Sequence, residues 1–298
     1  MALLLRQQSS HRFLEPHLPE VEMRPGALDD PASLLRALDG ITHVIHCAGC
    51  TKAVGTREFY KVNQAGTRNL VEAANQHPEV QRMVHVSSLA AAGPALATHP
   101  AREEDVPHPV SEYGRSKLAG ELEVQRRARA DYVIIRPPAV YGPRDTEFLR
   151  IFQAVGRHLA PKPGLQPLSL IFVRDLAEAI VLCLEHPAVS RKVYHVAAPE
   201  VVTAREMAAQ IAVTMNTWTL PLPLPTPLFW PLCLAQEVWT RLTGRPNVLS
   251  LQKYAELRAP GWVSDPSRLR EDTGYTCPTR LASGIPQTLA WYRQNRWL

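Results

Sequence analysis

The sequence predicts an α/β protein: a doubly wound parallel β-sheet with helices packed on both faces. Short apolar runs alternate with helix-length stretches from the start of the chain to about residue 200. Strand, helix, strand, helix at this spacing gives right-handed crossovers and a sheet covered on both sides. The small and polar residues suited to chemistry are Ala48-Gly49, Ser87-Ser88 and Arg136-Pro137-Pro138. They all fall at the C-terminal ends of apolar runs, where such sheets bind ligands.

Taken in order, Ala2-Leu3-Leu4-Leu5 reads as a short strand and Val21-Glu22-Met23 as a second. Asp30 is placed to cap a helix whose first position is Pro31. His43-Val44-Ile45-His46-Cys47-Ala48-Gly49 is a buried strand ending in a small-residue turn, and a helix follows over about 57–76. Next come a strand over 82–87 and a loop to about Val110. A long helix begins at Ser111 and ends near Arg129, and Tyr132-Val133-Ile134-Ile135 is a strand. Beyond Pro143 the pattern loosens. Ile171 to Leu176 is a strand entering a helix, where Arg174 and Asp175 read as capping residues. Val193 to Val196 is a strand, and Thr279 to Gln294 is amphipathic.

The chain has 298 residues, 45% apolar and 20% charged, with a net charge of +5 and no basic block, which argues against nucleic-acid binding. Five scattered cysteines, Cys47, Cys50, Cys183, Cys233 and Cys277, have no framework spacing and suggest reduced thiols in the cytoplasm. Cys47 and Cys50 lack a matching second pair, so no metal site is expected. The apolar start is too short for a signal peptide. From Met207 to Gln236 no residue is charged, but five prolines there argue against a membrane span. Two readings of that stretch stand: a wall of an apolar pocket, or peripheral membrane contact through 207–236.

Tyr113 and Lys117, four apart on one helix, face the same way. A phenol with a pKa near 10 is a poor base, and a neighbouring ammonium favours its ionised form. Ser88 can hold a substrate oxygen against the Tyr113 hydroxyl, completing a device that trades a proton with an alcohol or ketone while a cofactor carries hydride. The pair alone is weak, since roughly 0.16 such pairs arise by chance. Its flanks strengthen it: a serine pair at a strand end lies upstream, and a long helix carries the tyrosine and lysine.

Six blocks in order carry a resemblance: His46-Cys47-Ala48-Gly49, Tyr60-Lys61-Val62-Asn63, Val86-Ser87-Ser88, Tyr113 to Lys117, Arg136 to Pro143, and Phe172 to Ala177. Together they resemble the extended short-chain dehydrogenase/reductases, which include nucleotide-sugar epimerases and 3β-hydroxysteroid dehydrogenases. The resemblance implies an enzyme with a Rossmann-like fold and NADP or NAD as cofactor. Residues 1–145 would form an incomplete dinucleotide-binding domain. Residues 146–298 would form a smaller, mostly helical substrate lobe, whose segment 169–200 returns to the sheet. It further implies that Tyr113 is the acid/base, with Lys117, Ser88 and Asn63 beside it in the catalytic set. For Asn63, a helix cap or core polar group is the alternative. Ala48, Gly49, Ser87, Tyr113, Lys117, Pro137 and Val140 would line the cofactor.

The chain departs from that pattern at its start. Ala2 to Arg6 match the family's second strand, so the first strand, its glycine-rich phosphate loop and its helix are missing, and an N-terminally shortened reading frame is expected. At Ala27-Leu28 relatives often carry an aspartate that meets the adenine, and here only backbone could serve. Arg6 stands where an acidic residue would grip a ribose hydroxyl, and suits the 2′-phosphate of NADP instead. Pro138-Ala139-Val140 lacks the asparagine that epimerases offer a sugar nucleotide. The expected substrate is therefore a hydrophobic, steroid-like hydroxy or keto compound. A nucleotide-sugar epimerase or dehydratase, and a non-catalytic member that has lost its cofactor, are the alternatives. The resemblance also implies a homodimer.

Overall fold

The computed structural model describes residues 1–162, 166–223, 229–243 and 251–298. The chain opens with β1 (Ala2–Leu5), a 3-10 turn at Glu15–Glu20 and β2 (Glu22–Pro25). α1 (Pro31–Ala37) and β3 (His43–His46) follow. The Asp30 side chain accepts from the Ser33 backbone N–H, as its place before Pro31 indicates.

The helix expected over 57–76 is divided. α2 (Thr56–Tyr60) runs into a π-helical turn, Lys61–Gly66, and continues as α3 (Thr67–Ala74). Then come β4 (Arg82–Val86), the short α4 (Leu89–Ala92), α5 (Glu112–Arg127), β5 (Asp131–Arg136) and β6 (Ala139–Tyr141). α6 (Thr146–Gly156), β7 (Leu159–Lys162), β8 (Pro167–Phe172), α7 (Val173–Glu185), β9 (Lys192–His195) and β10 (Val201–Thr203) continue the chain. It closes with α8 (Ala204–Met215), β11 (Leu220–Pro223), α9 (Phe229–Thr243), α10 (Leu251–Leu257), α11 (Ser267–Thr273) and α12 (Leu281–Gln294).

The principal sheet is parallel, in the order β3-β4-β5-β9. Successive residues of its strands point to opposite faces. Met83, Tyr132 and Ile134 pack with Leu34, Leu70, Val71 and Val124 of α1, α3 and α5. Val84, Val133, Ile135 and Tyr194 pack with Leu176, Ala179 and Cys183 of α7. β1 and β2 form a separate parallel pair. Among the described residues no ladder joins β1 to β3. Leu4 on β1 and Ile45 on β3 are 37% and 41% exposed, uncommon for strands of a parallel sheet.

A further buried cluster forms largely from the later part of the chain. Phe148 and Phe152 of α6, Met207 and Ile211 of α8, and Ile285, Leu289 and Tyr292 of α12 meet there. The uncharged stretch 207–236 is mostly helix and strand: α8, β11 and the first half of α9, with 224–228 outside the described residues. No helix among the described residues is long and apolar enough to cross a membrane. Asp175 does not cap α7. It is buried and accepts from the Thr279 N–H at 2.9 Å and the Thr279 hydroxyl at 2.7 Å, tying α7 to the loop before α12, while Arg174 is exposed.

α5 lies unusually close to its neighbours, and glycines allow it. A Cβ on Gly120 would strike the Asn63 carbonyl oxygen, and one on Gly114 the Ala90 carbonyl oxygen. In an open helix Gly120→Ala would stabilise by about 1 kcal/mol. Here the obstacle is backbone that cannot swing aside, so Gly120→Ala is expected to destabilise by about 1–3 kcal/mol in urea unfolding.

Candidate active site

Ser88 ends β4 and caps α4, its hydroxyl accepting from the Ala90 N–H at 3.1 Å. The same side chain acts on the Tyr113 phenol and lowers its pKa. Tyr113 sits in the first turn of α5, a helix started by the Ser111 side chain accepting from the Gly114 N–H at 3.1 Å. Its half-buried ring leans on Phe59, with centroids 6.2 Å apart. Lys117, one turn further, is 5% exposed, and its Nζ donates to the Val86 carbonyl at 2.8 Å. The structure thus brings Ser88, Tyr113 and Lys117 around the C-terminal end of β4.

The electrostatics differ from the sequence expectation. Burial pushes the Tyr113 phenol up to about 12. The Ser88 hydrogen bond opposes the rise, while Glu256, Glu147 and Cys50 add to it. Lys117 does not bring the phenol down. Burial lowers its own pKa to about 8, against the opposing pull of Glu121 and Cys47. The phenol therefore rests protonated, as a general acid rather than a base.

Asn63, in the π turn, is buried and bonded on both sides. Its Oδ1 accepts from the Cys50 N–H at 2.7 Å, and its Nδ2 donates to the Cys50 carbonyl at 2.9 Å and the Ser116 hydroxyl at 2.8 Å. It clasps the turn after β3 to α5. Beside it a Cβ on Gly49 would stand 3.3 Å from Asn63 Oδ1 and 3.7 Å from Lys117 Nζ. Cys47, Ala48 and Gly49 are exposed above that ammonium, which uses one of its three protons on Val86. An open, side-chain-poor turn over a donor fits the ribose of a nicotinamide cofactor. Pro137 is buried and its carbonyl accepts from the Leu89 N–H at 2.8 Å, while Val140 is half-buried on β6.

Arg6, Ala27 and Leu28 lie apart from this cluster, on the β1–β2 pair and the loop after it. Arg6 is exposed. The Ala27 N–H donates to the Ser33 hydroxyl at 3.1 Å, so that backbone donor is already engaged. The Leu28 carbonyl accepts from Asn69 at 2.9 Å, and its side chain fills the space over Gly66.

Sequence reasoning gave no role to several groups near the site. Glu121 is wholly buried behind Lys117. Its carboxylate accepts from the Ser87 hydroxyl at 2.5 Å, from Arg136 Nε at 3.0 Å and from Arg136 Nη2 at 2.7 Å. Its place four residues after Lys117 was the signal that could have found it. Glu147 pairs with Lys52 at 2.7 Å at the head of α6. Glu256 lies on α10, where its carbonyl accepts from the Trp262 indole at 3.1 Å. Arg136→Ala would leave the Glu121 carboxylate buried without its cation. It is expected to cost about 3–5 kcal/mol in urea unfolding, whereas replacing both partners by apolar residues costs far less.

With this geometry in hand, the chain can be set beside known proteins. The sequence profile described as the NAD dependent epimerase/dehydratase family matches residues 2–197. The chain belongs to that family. Within the NAD dependent epimerase/dehydratase family, a ceramide reductase of Caulobacter vibrioides is 33% identical over 302 residues, covering 99% of this chain and 87% of that protein. A UDP-glucose 4-epimerase of Vibrio cholerae is 29% identical over 274 residues, covering 86% of this chain and 78% of that protein. Among solved structures, the dTDP-glucose 4,6-dehydratase DesIV of Streptomyces venezuelae, with NAD and TYD bound, superposes with a TM-score of 0.79. It is 20% identical and covers 99% of this chain and 88% of that one. The fold is the Rossmann-like fold of this family, and the chain is an enzyme of an NAD-dependent class.

Proposed function

We propose that the chain interconverts a hydroxyl and a ketone on a hydrophobic, lipid-like substrate, with NAD or NADP carrying the hydride. The observation that carries this reading is the convergence of Ser88 and Tyr113 past the end of β4, with Lys117 buried one helical turn from the phenol. The substrate carbonyl oxygen takes the place between the two hydroxyls. Tyr113, resting as a phenol, gives it a proton, and Ser88 holds it by a second hydrogen bond. The nicotinamide cofactor, when bound, supplies the hydride or takes it back. Lys117 holds the ribose and keeps a positive charge near the phenolate that forms.

One feature supports a lipid-like substrate over a sugar nucleotide. The second lobe exposes Trp218, Leu220, Trp230 and Trp239 at 64%, 58%, 49% and 61%. These residues suit contact with a membrane surface from which such a substrate would be drawn. The relationship to a ceramide reductase agrees with this. The relationship to a UDP-glucose 4-epimerase favours a second reading, in which the same three side chains epimerise a nucleotide sugar. Turnover of NADH or NADPH by the full chain with a long-chain N-acyl amino ketone, compared with UDP-glucose, decides between them. Consumption of cofactor with the ketone alone is expected, and epimerisation of UDP-glucose without net consumption would overturn the proposal.

Arg6 favours NADP. Arg6→Ala is expected to weaken NADPH binding, read by quenching of tryptophan fluorescence, while leaving NADH binding unchanged. The helix α5 is the proposed homodimer contact, and the free thiols of Cys47, Cys50, Cys183 and Cys277 agree with a reducing cytoplasm.

A further inference from the structure

Glu121 has no part in the acid–base step, yet it holds the residue beside Ser88 and lies one helical turn from Lys117. Its carboxylate takes the Ser87 hydroxyl at 2.5 Å, next to Ser88 in the chain, and the Arg136 guanidinium at the end of β5. The Ser87 N–H in turn donates to the Ile135 carbonyl at 2.7 Å, so the ends of β4 and β5 are locked together at this point. Lys117 lies four residues earlier on the same helix, on the same face.

Four groups act on the Lys117 charge or are acted on by it: His46 from β3, His85 from β4, Cys47 from the turn after β3, and Glu121 from α5 itself. Both histidines are buried and neutral, and partial desolvation of its sulfur pushes the pKa of the otherwise exposed Cys47 up. Among these, Glu121, ion-paired with Arg136 from β5 at 2.7 Å, is the carboxylate that acts on Lys117. The His46 and His85 rings stand 5.1 Å apart, and neither ring nitrogen of His85 has a hydrogen-bond partner among the described residues.

We propose that Glu121 is a positioning residue that holds the Lys117 ammonium in its charged form from behind the site and, through Ser87, fixes the end of β4 that presents Ser88. Its meaning rests on the acid–base reading of Tyr113, Lys117 and Ser88, but its measurement does not. The test follows the Lys117 ε-carbon and Nζ by NMR on the full chain across pH, with Lys117→Arg assigning the signal. Wild type is expected to titrate near 8, and Glu121→Gln at least about one pH unit lower. Glu121→Gln alone strands a buried guanidinium. The double variant Glu121→Gln/Arg136→Met removes that burden and is expected to fold with the low midpoint retained, while Glu121→Asp restores the wild-type value. Ser87→Ala, which leaves both charges in place, is expected to keep the midpoint but to speed hydrogen exchange at the Ser88 and Leu89 amides. An unchanged Lys117 midpoint in the folded double variant overturns the proposal. Failure of the acid–base reading would show differently, as turnover surviving Tyr113→Phe while the Lys117 midpoint still moved.

Discussion

Tyr113→Phe is expected to lower kcat by about 10²–10⁴-fold, the usual contribution of a positioned proton donor. KM and thermal stability should stay near wild type. The substitution removes one oxygen and leaves the ring against Phe59, so packing is kept and only the proton donor is lost. Steady-state kinetics of ketone reduction, beside a thermal unfolding curve, checks it; wild-type turnover in the variant would mean that some other group protonates the substrate. The pH dependence has a definite sign. With Lys117 lowered to about 8 by burial, its ammonium is present below that pH and lost above it. Reduction is therefore expected to be fast at pH 6–7 and to fall as pH rises through about 8. The phenol, at about 12, stays protonated throughout.

Acid should unfold this chain early. His46 and His195 are buried neutral, with burial lowering each from 6.5 to about 3, and His85 is lowered as well for the same reason. Each binds a proton more readily unfolded than folded, so the stability they permit is fully present above about 6.5 and is lost as pH falls from there towards 3. A group of this kind costs about 1.4 kcal/mol for every pH unit in that window. Urea midpoints measured between pH 7 and 4.5 are expected to drop steeply. His85→Met, removing one of the three, is expected to flatten the slope by about a third. An equally steep slope in that variant would place the acid sensitivity elsewhere.

Much of the scaffold was legible because its local signals were unambiguous. Asp30 before Pro31 and Ser111 before a run of good helix formers are caps that work through their own side chains, and both do so here. The Tyr113–Lys117 spacing needed only helical periodicity to place both groups on one face. What stayed hidden depends on partners distant in sequence. The Glu121–Arg136 pair joins α5 to β5 across 15 residues, and Asp175 reaches Thr279 across 104. The lowered phenol pKa expected from Lys117 fails for the same reason. Spacing gave the ammonium but not the depth of burial, nor the carboxylates of Glu147 and Glu256, which come from α6 and α10. The π turn in the 57–76 helix has no sequence signature, because Val62 to Gly66 are compatible with either winding.

That wide turn has an implication for how the chain tolerates length changes. A π turn is an α-helix carrying one surplus residue. Deleting Gln64 would let α2 and α3 fuse into one regular helix. The flanking turns would keep nearly their present register, because the wide turn already absorbs the surplus residue, and the change would fall on the turn itself. Asn63 would be carried off the Cys50 clasp, while Leu70 and Val71 kept their seats. An indel at this point would thus be silent for the fold and disabling for the cleft. It is a place where related chains can part ways in activity while remaining superposable.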